Sequence, residues 1–411
     1  MSIFAAQTSV AASAAPKSVG FAKSVIEIWQ NGGPSQLETF DPKPSAPHDY
    51  NNGLKSIKTN ASFEIHEWMP ELAKCADLYS LVRTLTHPFP GHEKAAYIMQ
   101  TGHMPGDGIT YPSIGAILSS ARMVEKKYEG DLPPFVILTQ PKGRFSELGF
   151  LSEEYAPLIT GGNPNSKRFV VDGIVPPGGL TPEQLSVRFA RCERVNRVAV
   201  DPAFEAAGVA ARRIIEGPAA KTFDLEEEKK ELRDKYGRTL IGQQLLAARR
   251  LVEYGVPYIC VNYGGWDSHK KHFETMRRPT HEIDQALAAL LLDLKERNLL
   301  DTTLVWMTGE FGRVPKVDRQ APWNGGRNHF PRCFSALIAG GGLKGGVVVG
   351  ESDATTDHVK ERAVTPADFL GTICERMGVD PDDRPPSSKK DYRNPVMPPA
   401  SECGRLKELY A

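Results

Sequence analysis

Residues 264–273 read GGWDSHKKHF and place an aspartate and two histidines, Asp267, His269 and His272, within six residues. A carboxylate and an imidazole two positions apart on a loop can share one divalent cation, since both are ligands of zinc and its neighbours. The same residues can equally form a polar loop capping a sheet, because turns gather Gly, Asp and Ser for backbone reasons alone. What else the chain brings to that place decides between the two.

Polar, metal-competent residues recur after other apolar runs. NGGPSQLETFDPKP carries Ser35, Gln36, Glu38 and Asp41, and HPFPGHEKAAYIMQTG carries His87 and His92. GEFGR contributes Glu310 and Arg313, and GGRNHFP contributes His329. Each has a plain alternative. His92 precedes the helical segment EKAAYIMQ, so it either meets an anion at a helix N-terminus or simply opens the helix. Arg313 either grips an oxyanion through two N–H groups or sits in a salt bridge. Asp41 in FDPKP either binds metal or caps a turn. A ring of such groups at several strand ends favours a site, as convergent polar groups in a cleft generally do.

The elements that would position them form an α/β pattern with a largely parallel sheet. The expected strands are 24–30, 78–86, 134–140, 256–262, 302–308 and 333–341, with a short one at 346–351. In open α/β sheets, sites lie outside the carboxyl ends of the strands, which is where these residues fall. Helices are expected in TPEQLSVRFARCERVNRVA, opened by Thr181 as N-cap, and in TLIGQQLLAARRLVEYG, ended by Gly255. THEIDQALAALLLDLKERNLL and TPADFLGTICERMG complete the set. Segments 41–53, 157–180, 315–332 and 381–400 are rich in Pro and Gly and read as long loops. The economical organisation is a leader (1–22), one α/β domain (23–380) and a tail packed on it (381–411), with room for a helical subdomain around 181–245.

Fifty basic and fifty acidic side chains cancel, which argues against nucleic acid or an anionic membrane surface as partner. No apolar run approaches the roughly 20 residues of a membrane span. The six cysteines form no CxxC pair, so neither a zinc ribbon nor a disulfide framework is expected, and Cys260 and Cys333 read as buried small hydrophobes.

AKSVIEIWQNGGPSQLETFDPKP, HEKAAYIMQTGHMP, YPSIGAIL, GGWDSH, GEFGRVP and GRNHFP, taken in order, resemble the DUF1501 family. That family is abundant in planctomycete-type bacteria and is grouped with the alkaline phosphatase and sulfatase superfamily. The likeness runs from about residue 22 to about residue 380. It implies an alkaline-phosphatase-like three-layer sandwich, with a central mostly parallel sheet and helices on both faces. It also implies a metal-dependent hydrolase of small anionic phosphate or sulfate esters, using one or two divalent ions (zinc, manganese, calcium or magnesium). By position, Asp267 and His269 resemble the superfamily's metal-binding pair, with His329 a third ligand. Glu310 stands for a metal-binding Asp, and Glu38 or Asp41 for the acidic residue after the first strand. His92 falls near the nucleophile position.

The chain also departs from the superfamily pattern. Phe311 stands where a histidine usually follows the acid, and His92 where a Ser, Thr or Cys is usual. Gln36 and Glu38 stand where many relatives read GGPSHLDTF. A single-metal hydrolase, a phosphohistidine intermediate on His92, a mutase-type transferase, and a catalytically silent binding or envelope protein all fit these departures. Family members commonly carry an export signal, and the Ala-rich start resembles the end of one, which implies export to the periplasm or envelope of a bacterium.

Overall fold

The computed structural model describes residues 21–141, 147–174, 180, 182–195, 202–385 and 394–411. The leader up to residue 20 and the Thr181 cap lie outside them.

The expected strands form at β1 (Ser24–Trp29), β2 (Tyr79–Leu85) and β3 (Phe135–Leu138), while β4 (Leu158–Ile159) is a short strand inside a segment read as a loop. They continue with β5 (Tyr258–Asn262) and β6 (Thr303–Thr308). A short antiparallel ribbon follows, β7 (Gly312–Arg313) with β8 (His329–Phe330). Then come β9 (Phe334–Gly340) and β10 (Val348–Val349). All but the ribbon join one eight-stranded sheet, ordered β10-β2-β9-β6-β1-β5-β3-β4. β1 pairs in parallel with both β5 and β6, and only β9 runs against its neighbours, β2 and β6. The run 346–351 divides in two: Gly350, at φ +78°, breaks it, and Glu351–Ser352 pairs instead with Val359–Glu361.

Alternation along β1 assigns the two faces. Ile26 and Ile28 join the core under α3 (Leu240–Tyr254) and α4 (His272–Glu296). Val25 and Trp29 join the core under α1 (His92–Thr101), α2 (Ile114–Val124) and α5 (Pro366–Arg376). The result is helix–sheet–helix layering. Burying each large apolar side chain, such as Leu287 or Trp306, contributes about 1.5–3 kcal/mol, more than the ~1 kcal/mol of a typical cap. The layers therefore decide where helices lie, and caps decide where they start. Thr239 accepts from Gly242 N–H, Gly255 ends α3 in the left-handed region, and Thr365 with Asp368 forms a capping box on α5.

Of these five helices, two differ from the sequence reading, and the helices Pro202–Glu216 and Lys230–Tyr236 were not expected individually. α2 is capped by Ser113, within a segment read only as a motif. α4 starts at His272 rather than after Pro279, which it carries inside. Its first turn is anchored by the buried side chain of His272. The proline removes one internal bond but does not end the helix. Near the C-terminus, Val396, Met397, Leu406 and Leu409 are buried in the core beneath α5. Cys260 and Cys333 are buried and free.

Candidate metal centre

Gly32 and Gly33 follow β1 at φ +115° and +82°, conformations open to glycine. A Cβ on Gly32 would stand 2.4 Å from the Asp267 nitrogen, and one on Gly33 2.5 Å from the Phe311 ring. The loop after β1 thus threads between the segments after β5 and β6 and brings them within side-chain reach. The β7–β8 ribbon pairs His329 with Arg313 and swings His329 over the same point. From the other side, the loop after β2 ends at Gly91, where α1 begins with His92.

Three imidazoles converge there on Asp267. His269 Nε2 lies 3.0 Å and His329 Nε2 3.1 Å from Asp267 Oδ1, and His92 Nε2 lies 3.3 Å from Oδ2. The Nε2 atoms of His269 and His329 are 2.9 Å apart. Each ring meets an oxygen through its other nitrogen. His92 Nδ1 is 2.6 Å from Glu310 Oε1, His269 Nδ1 is 2.9 Å from Asn328 Oδ1, and His329 Nδ1 is 2.8 Å from the Pro90 carbonyl. A carboxylate or carbonyl oxygen only accepts, so the Nδ1 positions carry the protons and the Nε2 lone pairs face inward.

Lone pairs crowded around a carboxylate need a proton or a cation between them. Ligand atoms on a tetrahedral ion at 2.0–2.1 Å lie about 3.3 Å apart, close to the spacing found here. An Nδ1–H donated to an oxygen is also the usual outer bond of a metal-ligating histidine. The residues present therefore fit a divalent ion. Among the described residues, His92, Asp267 and His329 offer ligand atoms all within 4.8 Å of one another.

The electrostatics agree. Hydrogen bonds to Asp267 and Glu310 raise the His92 imidazolium to about 9. Burial pushes the Asp267 carboxyl up, but bonds to His329, His92 and Arg313 outweigh it and hold it well below the usual range. The pull that keeps a proton on His92 is one a metal ion would exploit in the proton's place.

Two walls close the site. Glu310, 1% exposed, accepts the Gly32 N–H at 2.9 Å, and its own carbonyl lies 2.7 Å from His87 Nε2. His87 is thus a support beneath Glu310, and burial lowers its imidazole to about 4. Phe311 is fully buried, with its ring stacked on His329 at 4.3 Å and 5.0 Å from the His92 ring. Hydrocarbon therefore lines that flank of the imidazole cluster.

The remaining sequence candidates fall elsewhere. Arg313 reaches the site but stands behind it, fully buried. It donates to Asp267 Oδ1 at 2.5 Å and to the carbonyls of Gly32, Gly33, Trp266 and Arg327, so its fork faces protein rather than the cleft. Glu38 is buried against Arg327 and His272, each 2.8 Å away, and these partners outweigh burial to hold its carboxyl low. Asp41 is buried beside Lys43 at 3.0 Å and accepts from Ser352. Neither acid joins the imidazoles. Sequence reasoning missed Asn328 and the Pro90 carbonyl, for which the only signal was their place beside His329 and before Gly91.

No curated protein matches this chain. Among solved structures, the lipoteichoic acid synthase LtaP from Listeria monocytogenes is similar at 9% identity and TM-score 0.41, over 95% of this chain and 78% of that one. The C-terminal periplasmic domain of EcEptC from Escherichia coli, in complex with Zn, aligns at 10% identity and TM-score 0.39, over 94% and 92%. A protein in the alkaline phosphatase superfamily from Vibrio parahaemolyticus aligns at 11% identity and TM-score 0.39, over 93% and 72%. The family model described as "Protein of unknown function (DUF1501)" matches residues 22–387, so the chain belongs to the DUF1501 family.

Proposed function

We propose that the protein is a metal-dependent hydrolase of small phosphate or sulfate esters, built on a single divalent ion held by His92, Asp267, His269 and His329. The observation that carries this reading is the convergence of three imidazoles on one carboxylate, each with its Nδ1 tied to an oxygen. A bound ion would supply Lewis-acid polarisation of the ester oxygen and a more acidic water. Glu310 holds the proton on His92 Nδ1 and so aims Nε2 at the cleft. Arg313 fixes Asp267 and neutralises part of its charge, and Phe311 excludes water from one flank. Zinc, manganese, calcium and magnesium are the candidates, and the three nitrogen donors favour zinc. The motif resemblance also supports export to a bacterial envelope.

A second reading, a silent binding protein that keeps the site, is favoured by one observation. Arg313, the cation nearest Asp267, is directed into protein, so it offers an ester anion no contact.

Purified full-length chain, stripped and reloaded with each metal, should hydrolyse p-nitrophenyl phosphate or p-nitrophenyl sulfate, and His92→Ala should abolish turnover. Stoichiometric metal binding with no hydrolysis of either ester would instead support the silent reading.

A further inference from the structure

A buried polar chain joins the two donor-bearing segments from behind. Ser268, between Asp267 and His269, places its Oγ 2.6 Å from His272 Nδ1. His272 Nε2 lies 2.8 Å from Glu38 Oε2, while Glu38 Oε1 accepts from Arg327 at 2.8 Å. Arg327 precedes His329 by two residues, and its backbone N–H donates to the Ser268 carbonyl at 3.3 Å. All four residues are at most 2% exposed. The order Ser–His–Glu is that of a hydrolytic triad, but a hydroxyl this deeply buried cannot meet substrate, and the acid lies on Nε2 with the serine on Nδ1. Its chemistry is therefore positional.

We propose that Glu38 is the positioning residue of the metal centre. One of its oxygens fixes the Asp267–His269 loop through His272 and Ser268. The other fixes the His329 strand through Arg327. This inference rests on the metal-centre reading above. The donor atoms of the two segments lie 2.9–3.1 Å apart, so a loosened segment loses the spacing on which shared ligation depends. A buried carboxylate with both oxygens engaged is a stiff link, because releasing either partner leaves a charge or donor buried and unpaired. Each carboxylate oxygen serves a different segment, which a residue filling space alone would not require.

The test is zinc affinity, measured by competition with a chromophoric chelator, together with the visible spectrum of the cobalt(II)-loaded full chain. Glu38→Ala is expected to weaken zinc binding by about 10- to 100-fold and Ser268→Ala by about tenfold, both altering the cobalt bands. Glu38→Gln, which keeps an acceptor for Arg327 and offers a donor to His272, should recover most of the affinity. Asp284→Ala serves as the control for general destabilisation. Its carboxylate accepts the Glu71 and Leu72 N–H groups away from the site, and it should lower the melting temperature without changing zinc affinity. Should Glu38→Ala fail to fold, Ser268→Ala carries the test, since it deletes one hydroxyl. Unchanged affinity and spectrum in a wild-type-like Ser268→Ala and Glu38→Ala would overturn the positioning role alone. A wild-type chain that binds no zinc or cobalt would overturn the metal reading and this inference with it.

Discussion

The Nε2 atoms of His269 and His329 face each other at 2.9 Å, and both lie within 3.1 Å of the same oxygen of Asp267. Asn328 and Pro90 hold the opposite ring nitrogens, so turning either ring to relieve that approach would break a hydrogen bond. On the reading proposed above this is a cation site, and its supports can be removed one at a time.

Arg313 is the support of Asp267. Removing its guanidinium takes from Asp267 its nearest cation and from the carbonyls of Gly32, Gly33 and Arg327 the donor they share, each worth about 1–3 kcal/mol. Arg313→Met should lower unfolding free energy by about 3–5 kcal/mol in urea titration, and Arg313→Lys should recover little of it, lacking the fork. A loss under about 1 kcal/mol would mean that Arg313 is not what holds this corner.

Glu310 should act on metal affinity more than on the fold. Its carboxylate orients His92 and accepts the Gly32 N–H. Glu310→Gln replaces the charged acceptor on His92 Nδ1 by a neutral one and makes the ring less basic, so zinc affinity should drop by about 10- to 100-fold. Equal affinities would remove His92 from the ligand set.

Glu27 contributes a pH dependence away from the site. It lies fully buried on β1, accepting from Gln100 at 2.7 Å and from the Tyr258 hydroxyl at 2.8 Å, and burial raises its carboxyl from 4.5 to about 7. The folded chain therefore holds a proton that the unfolded chain releases. Its contribution to stability falls as pH rises from about 4.5 to about 7 and is flat above that, by about 3 kcal/mol in total. Glu27→Gln should flatten this segment of the stability–pH curve. A wild-type-like slope in the variant would assign the dependence elsewhere.

The sheet was legible because β1, β5, β6 and β9 are buried on both faces and so appear as mostly apolar runs, broken inside only by Glu27 in β1 and Ser335 in β9. The start of α4 was not, because Pro279 reads as a stop and the anchor of His272 is Glu38, 234 positions away. Asp267, His269 and His329 could be picked out from residue type and motif alone. The placement of Glu38 depends on Arg327, 289 positions distant, and that of Asp41 on Ser352, 311 positions distant. An acid read locally looks the same whether it meets a metal or a buried arginine. Arg313 was placed near the right residues but turned the wrong way, since only the fold reveals the carbonyls that claim its donors. His272, read with Asp267 and His269 as part of a metal-binding or sheet-capping loop, is a buried link behind the site.

Metal content decides whether Asp267 and the imidazoles around it hold an ion. Full-length chain equilibrated with zinc and desalted should retain about one equivalent by elemental analysis, and Asp267→Ala should retain essentially none while remaining folded. Zinc-free wild-type protein, or an Asp267→Ala variant that keeps its zinc, would contradict the account.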